Sequence, residues 1–448
     1  MFGPNSLRVM STSAANRYFS SVIGVALILF TLAINLAESY LAQSLRNIFT
    51  LLLGYYLLSS LLVNRLTVTT KSLVYLLFLL IYAVTFYAFG SGNNLIVHLL
   101  TICFGVVLFY NALLALQFEV PVLWGVATKI WNVIYLTLGI ELLFAVGGYQ
   151  GALYSLFPEE NRAYGLQAYR LLDNTFSTYF GLEFKGLNSI TLQTQAFGQF
   201  CAMLTILAYK FTEGTFRKQN IWRIVFYLIV PVLMFTVSPN ITSAVILIFI
   251  GSFHILFKTY LKRISLTAFL TAVALIVGCV LFYFYSDAGF IKAYQADQLY
   301  DLFVGGQLDY MLTRSLSDYL IGVNLYEYTQ VSPTFEIAIL SYLSVSGLIF
   351  GAVNLIIVCW YALATIRQAR YLYQSGLVPR KNIDIQIMNL VFAISMLISS
   401  IHFPVITNYF GTVIFIFHMG LGLYILKRNR STIRTVNKRP EKTYISEK

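Results

Sequence analysis

Residues 95–117 read LIVHLLTICFGVVLFYNALLALQ, an unbroken run without a single Asp, Glu, Lys or Arg. At about 1.5 Å per residue, a helix of this length reaches across a hydrocarbon core of about 30 Å. The run is continuously apolar rather than alternating, so it lacks the period of two that a transmembrane β-strand carries. A helix is the remaining way to satisfy the backbone in lipid. Windows of about 19 residues find the same pattern along the whole chain. Twelve spans are expected, at 19–37, 47–63, 72–90, 95–117, 124–147, 190–209, 221–237, 241–257, 265–285, 335–363, 385–403 and 408–426. The expected fold class is an all-α polytopic membrane protein, with residues 1–448 forming one integral membrane domain.

Composition agrees with that reading. Of 448 residues, 58% are hydrophobic and 11% charged, and mean hydropathy is +0.74. A soluble domain is about 25% charged. These values exclude a soluble enzyme, a nucleic-acid-binding domain and a secreted disulfide scaffold. The net charge of +12 resembles a nucleic-acid signal only until the charges are placed, since they fall in loops and tails between apolar runs.

With the N-terminus inside, 24 of the 30 Lys and Arg residues lie on the inner side and six outside, namely Arg46, Arg162, Arg170, Lys185, Lys292 and Arg314. The positive-inside bias therefore puts both termini in the cytoplasm. Two long connections, 148–189 and 286–334, then lie on the outer face, and long loops in compact proteins tend to be functional. Residues 427–448 form a basic cytoplasmic tail, read as a solvated extension facing anionic lipid. Arg8 and Arg17 precede the first apolar run, but eleven spans follow, so an uncleaved first helix is expected rather than a signal peptide. Cys103, Cys201, Cys279 and Cys359 fall inside expected spans and read as small buried hydrophobes. His98, His254, His402 and His418 are scattered, and neither a metal site nor a nucleotide motif is expected.

The outer loops concentrate the polar residues. Apolar steps at Leu308, Met311, Leu312, Leu316 and Leu320 predict a helix lying on the membrane, with Asp309, Arg314 and Asp318 on its wet side. Arg314 has two readings: a surface ion pair with Asp318, or a guanidinium fork at headgroup depth gripping a lipid diphosphate. Lys185 reads as a snorkelling anchor or a second phosphate contact, and Arg162 and Arg170 as loop-structuring or phosphate-binding residues. Glu336 follows Ser332-Pro333-Thr334-Phe335 at a helix start. It either complements the helix dipole or serves as a base accepting a proton from a sugar hydroxyl. Glu141, inside the fifth span, is expected to face the bundle interior or a wet cavity.

Three stretches resemble bacterial O-antigen polymerases of the Wzy type, within the superfamily that includes O-antigen ligases. The first is Arg314-Ser315-Leu316-Ser317-Asp318-Tyr319-Leu320-Ile321-Gly322-Val323-Asn324. The second is Phe335-Glu336-Ile337-Ala338-Ile339-Leu340 followed by Val345-Ser346-Gly347-Leu348-Ile349-Phe350-Gly351. The third runs from Lys185-Gly186-Leu187-Asn188-Ser189 into Gln195-Ala196-Phe197-Gly198. The plan of about twelve spans, two large outer loops and cytoplasmic ends is similar too. The resemblance implies a GT-C-like fold with periplasmic loops in a bacterial inner membrane. It implies a glycosyltransferase that needs no metal and no cofactor. Its substrates would be two undecaprenyl-diphosphate-linked oligosaccharides, and the growing glycan would be moved onto the non-reducing end of an incoming repeat unit. Arg314, with Lys185, Arg170 or Arg162, would hold the leaving diphosphate, and Glu336 would be the base. Membrane lipids and a possible chain-length regulator are the partners implied, and no nucleic acid.

Two rivals are weighed against this. Ligases of the superfamily place a histidine where Glu336 stands, and neither large outer loop contains a His. Carriers of the major-facilitator kind and flippases also have twelve spans. They usually carry a long mid-chain cytoplasmic loop and a charged motif after the second span, whereas residues 64–71 here read NRLTVTTK and the long loops lie outside.

Overall fold

A computed structural model describes residues 43–63, 68–89, 94–146, 199–200, 202–209, 225, 227, 229, 241–285, 314–322, 338–399 and 409–437. Among these the chain is helical and contains no strand. In order come α1 (Gln43–Val63), α2 (Thr70–Phe89), α3 (Asn94–Leu116), α4 (Val120–Val146), a single 3₁₀ turn (Thr205–Ala208), α5 (Ile241–Lys262), α6 (Leu266–Tyr285), α7 (Leu316–Ile321), α8 (Ala338–Ser375), α9 (Arg380–Ser399) and α10 (Tyr409–Asn437). Five of them contain stretches long and apolar enough to cross a membrane: Leu99–Leu116, Thr242–Lys262, Ser346–Ser375, Arg380–Ser399 and Gly411–Thr435. The helices from α1 to α6 and from α8 to α10 fall on nine of the expected spans. The span at 19–37 lies outside the described residues, as do half of that at 190–209 and most of that at 221–237.

The outer surface of the bundle is itself apolar. Leu51, Tyr55, Leu58 and Leu62 are exposed at helical steps along α1, and Leu73, Leu77, Leu80 and Val84 do the same along α2. A soluble monomer rarely leaves apolar stripes of this length uncovered, whereas lipid covers them without cost. Inside, Trp131 of α4, Phe392 of α9 and the ring of His418 on α10 form a mutually packed triangle of rings, with the Phe392 and His418 centroids 4.1 Å apart. Small residues let the helices approach. A Cβ on Gly420 would meet the Phe109 ring at 2.6 Å, and one on Gly422 would meet the Tyr361 hydroxyl.

A polar seam ties α8, α9 and α10 together. Gln368 Nε2 donates to the Leu426 carbonyl (3.1 Å), Gln386 Nε2 to Gln368 Oε1 (2.7 Å), and Asn429 Nδ2 to Gln386 Oε1 (2.9 Å). Two amides of α9, Gln386 and Asn389, sit three residues apart and so share a face; Asn389 Oδ1 lies 2.9 Å from His418 Nδ1. In an apolar surrounding such groups are stable only when paired, and the pairing fixes how the three helices meet.

Several expectations are corrected. The first part of the basic tail is not irregular: residues 427–437 continue α10 with Lys427 and Arg434 exposed, Asn429 buried, and Arg428 Nη1 donating to the Phe118 carbonyl at 3.1 Å. No Gly or Pro occurs between Lys427 and Arg439, so nothing stops the helix at the end of the apolar run. The tenth span is longer than 335–363, since α8 runs to Ser375. Cys279 and Cys359 are exposed on α6 and α8 rather than buried, and Cys103 is half-buried. A helix surrounded by lipid is apolar on every side, so an apolar residue type does not reveal which side it takes. Cys201 lies outside the described residues.

Candidate functional site

The described part of the second long loop, 314–322, packs against α8 where that helix breaks. Ser315 caps α7: its backbone is extended (φ −69°, ψ 157°) and its Oγ accepts from the Asp318 amide at 3.4 Å. Gly322 ends the turn at φ 105°, ψ 167°. Opposite it, Gly347 interrupts α8 at φ 68°, ψ 166°. Both glycines occupy a region of backbone space that is essentially closed to other residues. The contact between them leaves no room for a side chain. A Cβ on Gly347 would stand 2.4 Å from the Ile321 carbonyl carbon, 2.5 Å from the Gly322 nitrogen and 2.6 Å from the Leu320 oxygen.

Tyr82 of α2 fastens the junction. Its hydroxyl lies 2.7 Å from the Ser346 carbonyl and 3.3 Å from the Ile321 carbonyl, one oxygen on each side of the glycine contact. The Tyr82 ring packs on Phe350, with centroids 4.5 Å apart. One turn further along α8, Asn354 Oδ1 accepts from the Tyr75 hydroxyl (2.5 Å) and the Cys103 thiol (3.5 Å), while its Nδ2 donates to the Phe350 carbonyl (2.9 Å). The backbone break is thus held by α2 and α3 from one side and by α7 from the other.

Arg314 precedes α7, at the end away from the Gly322–Gly347 contact. Its Nη1 lies 3.9 Å from Asp318 Oδ2, and the two side chains are 19% and 35% exposed, whereas Leu316 is 74% exposed. Of the expected apolar stripe, Leu308, Met311 and Leu312 lie outside the described residues, as does Asp309, and Leu316 is exposed, as a residue facing lipid would be. The guanidinium has five N–H donors in a planar fork, a geometry that suits the paired oxygens of a phosphate as well as those of a carboxylate.

Of the other expected site residues, Glu336, Lys185, Arg170 and Arg162 lie outside the described residues. Glu141 falls within α4, but its side chain is likewise outside them. His254 is buried with its ring against Tyr209 (4.7 Å), and His418 is buried against Asn389. No group of three His, Cys, Asp or Glu able to hold a metal occurs among the described residues.

The chain matches no protein-family model, and no curated protein matches it. Its own residues therefore carry the functional argument. Sequence reading singled out Arg314, Gly322 and Gly347 but not Tyr82, which is one of 32 tyrosines and carries no spacing to distinguish it. The polar seam had a faint signal in Gln386 and Asn389, two amides at helical spacing near the start of a largely apolar span.

Proposed function

We propose that the chain is a surface-polysaccharide polymerase of the Wzy O-antigen type, a metal-independent glycosyltransferase in a bacterial inner membrane with its active site on the periplasmic side. One observation supports this reading above the others. Two stretches about 25 residues apart in sequence, which resembled the family independently, meet in a Gly322–Gly347 backbone contact, and Arg314 stands just before the short helix that Gly322 ends. A positioned cation is what a leaving diphosphate requires.

The step is a displacement at the anomeric carbon of the growing glycan. The non-reducing hydroxyl of the incoming unit forms the new glycosidic bond, and the bond to undecaprenyl diphosphate breaks. The hydroxyl proton passes to a base, for which Glu336 is the choice. Arg314 neutralises the charge gathering on the departing diphosphate, helped by Lys185, Arg170 or Arg162.

A deletion strain tests the reading on a lipopolysaccharide or capsule gel. Collapse to core plus one repeat unit is the expected result, because units are still made, flipped and ligated but not joined. Loss of all glycan from the core, with long lipid-linked chains accumulating, would point to a ligase. Single lipid-linked units held on the cytoplasmic side would point to a flippase.

A further inference from the structure

A groove of about 480 Å³ opens between α8 and α10, far from the Gly347 junction. Trp360, Arg367, Gln368, Tyr371 and Arg430 line it. Lys71 of α2 and Arg430 of α10 both lie over the Trp360 ring, at 5.7 and 5.4 Å from its centroid. Cations held over an indole face are attracted to it, so their positions are fixed while their hydrogen-bond donors stay available. Among the described residues, no carboxylate lies within ion-pair distance of Lys71, Arg367 or Arg430. Arg367 and Arg430 line the groove and Lys71 shares the Trp360 ring with Arg430, so cations gathered without a carboxylate among the described residues form a site for an anion.

The surface leading to the groove indicates which anion. On α8, Ile356, Trp360, Leu363, Arg367 and Tyr371 follow one another at three- and four-residue steps along a single face. Leu355 and Ile356 are exposed apolar residues one turn before Trp360, which is 41% exposed. An occupant would therefore meet aliphatic side chains, then an indole at the depth where aromatic belts sit, then guanidinium groups. That order is the profile of a phospholipid with acyl chain, glycerol and phosphate. A small soluble phosphate would make no use of the apolar approach.

We infer that this groove binds the phosphate headgroup of an anionic membrane phospholipid, with Arg367 and Arg430 on the phosphate and Lys71 beside them. Gly347 and Arg367 are 20 residues apart on α8, about 30 Å along the helix axis, close to the thickness of a hydrocarbon core. The lipid site and the Arg314 junction accordingly lie near opposite faces of the membrane. The side bearing the groove is the one that the Lys and Arg distribution assigns to the cytoplasm, where anionic lipids attract basic segments.

The test is native mass spectrometry of the purified full chain with phosphatidylglycerol, phosphatidylcholine or sodium pyrophosphate added. Phosphatidylglycerol is expected to be retained in preference to phosphatidylcholine. The Arg367→Gln/Arg430→Gln variant is expected to lower its affinity about 30-fold, which is about 2 kcal/mol at 1.4 kcal/mol per decade. The Arg367→Lys/Arg430→Lys variant should keep most of it. Lys427→Gln, which alters an exposed cation of α10 outside the groove, should change nothing. If the double variant fails to fold, Lys71→Gln alone should cost about fivefold. Equal retention of the two lipids, undiminished binding by the glutamine variants, or binding of pyrophosphate without lipid would overturn the inference. None of these outcomes depends on glycan synthesis.

Discussion

Arg314 is the one diphosphate-binding candidate whose surroundings are described, and its ion pair is weak. At 3.9 Å and partly exposed, an i,i+4 pair contributes about 0.5 kcal/mol or less. Asp318→Asn is therefore expected to leave the thermal midpoint of the purified protein within about 1 °C. Arg314→Ala should reduce glycan chain length to single units when it replaces the natural residue, with the protein still present in the membrane at normal levels. Arg314→Lys keeps the charge but loses the planar fork, so partial elongation with a shortened ladder is expected. Gly347 behaves differently. Any side chain there meets backbone at 2.4–2.6 Å and forces a glycine-only conformation. Gly347→Ala is expected to cost about 1–3 kcal/mol and to abolish elongation, while Gly54→Ala, with nothing within 4 Å, should alter neither. Melting curves and the glycan ladder read both variants.

Between α2, α7 and α8 the informative bonds are those of Tyr82. Removing its hydroxyl leaves two carbonyls at the junction without that donor, a loss of about 1 kcal/mol each way it is counted. Tyr82→Phe is expected to accelerate hydrogen exchange of residues 316–322 while exchange in α9 stays unchanged. If exchange in both regions rose together, the hydroxyl would be supporting the whole bundle rather than this junction. The helices themselves were legible in the sequence because an uninterrupted apolar run has one outcome in lipid, and α1 to α6 and α8 to α10 lie on expected spans. Their ends were not. Residues 427–437 and 364–375 continue helices past the apolar window because helix propensity, not hydropathy, governs where a helix stops outside the hydrocarbon. Which glycine breaks a helix was also hidden: Gly105, Gly125, Gly420 and Gly422 sit inside helices, and only the approach of α7 makes Gly347 different. Arg314 was found by motif, but its distance from Asp318 was not, because sequence spacing gives the i,i+4 pairing and not how closely the two side chains approach.

Across the whole molecule, charge and packing describe a protein with two chemically distinct ends. One carries the Arg314–Gly347 junction, the other the basic ends of α8 and α10. A single cysteine placed at 445 in a cysteine-free background is expected to react with a membrane-impermeant maleimide only after the cells are opened, and one placed at 160 should react in intact spheroplasts. The polymerase reading itself is tested most directly by reconstituting the purified chain in liposomes with one undecaprenyl-diphosphate-linked repeat unit and a chelator. Growth of a ladder in whole repeat units, with undecaprenyl diphosphate released for each bond formed and both lost in Arg314→Ala, is the predicted result. Unchanged substrate with the wild-type chain, or movement of the unit across the bilayer without chain growth, would contradict it.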